Sequence, residues 1–177
     1  MAVIVVPGVD GREAEPVTDE RPFPVQVLGP PAVITSAIPE LERVLIPGIA
    51  TASIYTAADA FGTAFEIVVP VEGTISNVIF YDLDNEGIDK ELLIFNQPFT
   101  ATADHDAIAV SDADLLNMLG VAYINTWTNF ANNQVGLAIP ALSYHAPYQS
   151  TLFFQLFTRG ADTIAVLKLP SIRLVVI

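Results

Sequence analysis

The chain contains no cysteine, which removes disulfide scaffolds, thiolate zinc sites, iron–sulfur clusters and cysteine nucleophiles together and leaves the redox compartment open. Cations are scarce as well. Seven Lys and Arg stand against 20 Asp and Glu, a formal net charge of −13, so the chain would repel a phosphate backbone instead of releasing its counterions. Nucleic acid is not an expected partner. Charge of either sign is thin, at 15% of residues where average soluble domains carry about 25%. Long uninterrupted apolar runs are missing too: the most hydrophobic stretch, 44–71, is broken by Pro47, Asp59, Glu66 and Pro70, so no spanning helix is expected there. Residues 1–10 lack the basic start and the apolar length of a secretory leader. No membrane partner is expected.

What the chain does have is apolar surface. Hydrophobic residues make up 52% of 177 positions, and at about 150 residues per domain this is one domain plus an arm, long enough to bury a core. Few charges remain to cover the rest, which points to a permanent protein partner. A closed homo-oligomer follows as the expectation, a trimer first and a dimer next.

Eight of the 13 prolines, at 7, 16, 22, 24, 30, 31, 39 and 47, fall in the first 48 residues, each removing a backbone donor and biasing its predecessor toward extended geometry. Residues 1–48 therefore read as an extended arm with apolar clips at 3–6, 25–28 and 44–46, because a purely disordered tail would be poorer in Val, Ile and Leu. Residues 49–177 form the second unit. Short β-rich runs bounded by turn residues predict strands at 65–71, 74–83, 91–96, 121–128, 136–144, 152–158, 163–169 and 172–177, the pattern of an antiparallel β-sandwich. One helix of about two turns is expected from Ser111 as N-cap, Asp112 and Asp114 in the first turn, Leu115, Leu116, Met118 and Leu119 within it, and Gly120 just past its end.

Four constellations invite chemistry. The acidic run Asp82, Asp84, Glu86, Gly87, Asp89, Glu91 resembles a calcium loop in spacing, but Leu93 stands where the closing bidentate Glu is required. A solvated hairpin loop that binds calcium at most loosely is expected instead. Asp104-His105-Asp106 lacks the distributed ligands of a metal site and reads as a polar turn. Ser143 and His145 supply letters of a nucleophilic triad without a Gly-x-Ser-x-Gly elbow, and strand alternation explains the pair. Tyr144, Tyr148, Phe153, Phe154 and Phe157 could form a sugar platform, although aromatic residues in strand runs more often belong to a core or interface. No catalytic residue, metal ligand or cofactor is expected.

Several segments together carry a resemblance: 55–62 (Tyr-Thr-Ala-Ala-Asp-Ala-Phe-Gly), Gly73-Thr74-Ile75 leading to Val78-Ile79-Phe80-Tyr81-Asp82, then Leu92-Leu93-Ile94-Phe95-Asn96-Gln97-Pro98, the stretch 104–109, and Ser111-Asp112-Ala113-Asp114 followed by Leu119-Gly120-Val121. As an ordered series over about residues 51–170, they resemble a family of tailed-bacteriophage virion proteins that decorate or cement the head. The resemblance implies a jelly-roll-like β-sandwich on the outer capsid surface, bridging neighbouring major capsid subunits in the virion. It also implies no enzymatic activity. On that pattern Asp59 and Gly62 form a turn before the first core strand, Pro98 ends an edge, and 111–120 caps one end of the sandwich. The competing expectation is a carbohydrate- or receptor-binding β-sandwich of a tail fibre, against which the lone Trp127 argues mildly. A small hydrolase on a β scaffold is the third.

Overall fold

The computed structural model describes residues 41–177; the arm clips at 3–6 and 25–28 lie outside them. Strands appear where β-branched and aromatic residues run between turn formers. In chain order they are β1 (Val44–Leu45), β2 (Ile54–Tyr55), β3 (Phe65–Val68), β4 (Glu72–Asp82), β5 (Lys90–Phe95), β6 (Met118–Ile124), β7 (Thr126–Asn129), β8 (Gln134–Ala138), β9 (Leu142–His145), β10 (Thr151–Thr158), β11 (Asp162–Thr163) and β12 (Ser171–Val176), with α1 (Asp112–Leu115) before β6. One sheet has the order β1-β12-β4-β8-β7 with β9 also on β4, and the other has β3-β10-β5-β6.

The pairing follows a single rule. Taking β8 and β9 as one interrupted strand, β1 pairs with β12, β3 with β10, β4 with β8 and β9, and β5 with β6, all antiparallel. Residues 41–177 thus form one long hairpin, β1 against β12, rolled so that successive pairs fall in alternate sheets. That winding is the jelly roll. Both sheets feed one core: Ile75, Val78, Phe80, Ile172 and Leu174 from the first meet Ile67, Leu92, Ile94, Leu152, Phe154 and Leu156 from the second.

The expected single strand at 136–144 is broken at Ile139-Pro140-Ala141. Between the pairs Val78↔Ala138 and Ile75↔Leu142 the partner of β4 carries one residue more than β4 does, a bulge where Pro140 needs no ladder donor. The run 121–128 likewise divides, with β6 in one sheet and β7 in the other. The strand expected at 163–169 is a correction. Only Asp162–Thr163 pairs, with β2, and the chain then turns through Ala165 to Lys168.

The arm boundary also moves. Val44 and Leu45 pair with Ile172 and Ser171, and Ile46 is buried in the core, so the segment assigned to the end of the arm is the first strand of the sandwich. The helix is shorter than expected. Ser111 does cap it, accepting from the Asp114 N–H while its hydroxyl donates to the Asp114 carboxylate, but it ends after one turn. Leu115 and Leu116 stay exposed, so no buried apolar face offsets nucleation, whereas Met118 and Val121 gain cross-strand partners in Phe95 and Leu93. Gly120 lies within β6, not past the helix. Pro98 follows β5, an inner strand, and does not end an edge.

Every residue of β5 and β10 is buried, which requires cover on both faces of their sheet. The outer cover is the connection between β5 and α1: Phe99, Ile108 and Val110 lie over Leu93, Phe95, Phe153 and Phe157. Gln155 fastens it, its amide accepting from the Thr102 N–H at 3.0 Å and donating to the Thr102 carbonyl at 2.6 Å. Part of the apolar excess that suggested a partner is therefore absorbed by this second cluster.

Gly62 occupies a tight turn against backbone. Its φ is +79°, and a Cβ there would stand 2.5 Å from the Pro47 carbonyl oxygen. Gly62→Ala should lower the unfolding free energy by about 2 to 3 kcal/mol through left-handed backbone cost and displacement of the 46–49 segment, measured by urea denaturation.

Candidate functional site

The acidic run is wired inward. Asp82, buried at the end of β4, accepts from the N–H groups of Asp84 (2.8 Å), Asn85 (3.0 Å) and Gly87 (3.1 Å) and from the Gln134 amide (2.7 Å). Asp84 accepts from the Ala165 N–H at 2.6 Å and Asp89 from the Trp127 indole at 2.9 Å, while Glu91 pairs with Arg159. Carboxylates so committed to protein donors offer few free oxygens to a hard cation. Among the described residues no group of three or more His, Cys, Asp or Glu is placed to hold a metal.

Asp104-His105-Asp106 turns out to hold the fold together. Asp104 accepts from the N–H groups of Ala50 (3.0 Å) and Gly62 (2.7 Å) and from the Tyr55 hydroxyl (2.9 Å), tying its turn to three points of the distant segment 50–62. The His105 ring packs on Tyr55 with centroids 3.8 Å apart and its Nδ1 lies 3.1 Å from Asp104. Asp59, which the family pattern placed in a turn, accepts from the Thr56 N–H and hydroxyl. It does form that turn.

The Tyr55 phenol is pushed well above its ordinary range by burial first, then by its hydrogen bond to Asp104 and the Asp104 charge. A raised folded value means stability fully present below the unfolded pKa of about 10 and lost as pH climbs through the folded one. The unfolding free energy should therefore fall above about pH 10, and Tyr55→Phe should flatten that fall. Burial raises the Tyr144 phenol in the same direction, so the variant is compared with the parent at each pH by urea denaturation.

Ser143 and His145 share the exposed face of β9, flanking buried Tyr144. Across the ladder they face Thr74 and Glu72, and the Ser143 hydroxyl is 3.2 Å from that of Thr74. Their spacing is strand alternation. Of the five aromatic residues considered as a sugar platform, Tyr144, Phe153, Phe154 and Phe157 are buried and only Tyr148 is exposed, resting against Phe153 at 5.7 Å.

The sequence did not single out two other features. Lys90 and Asp162 meet at 2.5 Å inside the molecule, each 2% exposed. The second is the turn after β11. Ala165 is held by Asp84 and the Lys168 N–H donates to the Ala165 carbonyl, so the apex is fixed, yet Val166 and Leu167 stand 64% and 89% exposed. Leu167 has φ +69°, a cost for a branched side chain. Ile54, on the strand paired with β11, is exposed beside the strand that enters this turn. An anchored, apolar projection of this kind is chemically suited to insertion into a pocket of another protein.

No family model, curated protein or solved structure matches the chain. Among the described residues no helix is long and apolar enough to cross a membrane.

Proposed function

We propose that the chain is a non-enzymatic structural protein of a bacteriophage virion, bound to the outer capsid surface and cementing or decorating neighbouring major capsid subunits. The observation that carries this reading is the projection at Val166 and Leu167, a fixed apolar contact at the tip of a turn held by Asp84. Two further facts support it. The rolled hairpin is an architecture used by viral capsid and lectin domains, and the sequence patterns over about 51–170 resemble head decoration proteins. Fold alone does not choose between capsid and lectin roles; the burial of four of the five candidate sugar-stacking aromatics favours the first.

The protein would act as a closed homo-oligomer, a trimer before a dimer, and light scattering of the full chain reads this directly. The contact surface is tested by adding purified chain to heads that lack it. The Val166→Asp, Leu167→Asp double variant should melt at the parent temperature but be retained at least about tenfold less well, the loss of one interface anchor. Equal retention would remove the turn from the interface and with it the observation on which the reading stands.

A further inference from the structure

We infer that Lys90 and Asp162 condense to an intramolecular isopeptide bond, formed by the folded chain itself. The inference does not depend on the virion reading. Lys90 opens β5 and Asp162 opens β11, and the two side chains meet at 2.5 Å between Nζ and Oδ2 while each is 2% exposed. The Phe61 and Phe80 rings flank the ammonium position at 4.9 and 5.8 Å, and the Nζ also donates to the Ile88 carbonyl at 2.7 Å. The junction is dry. Asp162 Oδ1 is buried there without a hydrogen-bond partner, whereas a buried ion pair is sustained only when its remaining lone pairs are satisfied. As an ion pair the site is underbuilt. As an amide junction it loses both charges and one of the two carboxyl oxygens.

The chemistry balances without any co-reactant. Once the proton between them passes from Nζ to the carboxyl oxygen in contact with it, the Lys90 amine attacks Cγ of Asp162; an N–C bond forms, a C–O bond breaks, and the departing hydroxyl takes the proton the amine releases and leaves as water. Burial favours the neutral amine, against the pull of Asp162, and desolvation is the usual route to a nucleophilic lysine. Holding amine and acid in contact replaces a bimolecular encounter, and the dry surroundings oppose hydrolysis. The product would close residues 90–162 into a covalent ring in a chain with no cysteine.

Intact-mass measurement of the full chain, unfolded after purification, decides the matter. The expected mass is one water below that of the sequence, with a branched peptide joining Lys90 to Asp162. Lys90→Arg and Asp162→Ala should each restore the full mass, whether or not they fold well. A full sequence mass for the folded parent chain overturns the inference, as does a water loss that maps to a linear peptide, such as a succinimide at Asp10-Gly11.

Discussion

Replacing Asp104 by Ala should lower the unfolding free energy by about 3 to 4 kcal/mol, from hydrogen bonds to a charged group worth about 1.5 to 3 kcal/mol each and less than additive together. The melting temperature should drop by roughly 10 °C for a domain of this size. Asp104 is the common acceptor for the Ala50 and Gly62 N–H groups and the Tyr55 hydroxyl, so its removal leaves the Gly62 N–H and the Tyr55 hydroxyl, on a fully buried ring, short of a partner, while the Ala50 N–H keeps the Tyr55 oxygen at 3.1 Å. Hydrogen exchange at Ala50 and Gly62 should accelerate before the central strands respond. Asp104→Asn keeps one acceptor oxygen and should cost about half as much. An Asp104→Ala protein as stable as the parent would mean that these segments are held by their apolar contacts alone.

A chain starting at residue 41 should keep the cooperative unfolding of the sandwich, while one starting at 49 should lose at least about 4 kcal/mol. The difference is eight residues, 41–48. Removing them deletes Ile46, 2% exposed in the core, at about 2 to 5 kcal/mol for a vacated site of that size. It also strips the partner of Ile172 and Ser171 in β12 and the Pro47 carbonyl that accepts from the Thr63 N–H. Denaturant titration of the two truncated chains separates the arm from the first strand. Equal stability would return 41–48 to the arm.

The strands that could be read from the sequence are those whose local composition and tertiary role agree. In β4, β5 and β10, β-branched, aromatic and leucine residues predominate between turn formers, and each became a strand inside its sheet. β1 was hidden because a two-residue strand between Pro39 and Pro47 looks like the rest of a proline-rich arm; only its partner at the far end of the chain makes it a strand. Val166 and Leu167 misled in the other direction. Their apolar side chains imitate a strand, but Asp84 captures the Ala165 N–H and the chain turns, a decision made by a residue far away in sequence. Asp104-His105-Asp106 was visible as a cluster, yet its chemistry was not, since the donors it satisfies come from residues 50, 55 and 62. Lys90 and Asp162 carried no local sign of each other. Burial of a lysine follows from packing, and the sequence 88–91 alone fits a solvated hairpin equally well.

The proposed role is tested most directly by where the chain resides in the particle. Purified virions, separated into heads and tails and quantified by mass spectrometry, should carry this protein on the heads, at a copy number in fixed ratio to the major capsid protein and in the hundreds. Recovery in a few copies with the tails, or absence from both fractions, would contradict a capsid-cementing role.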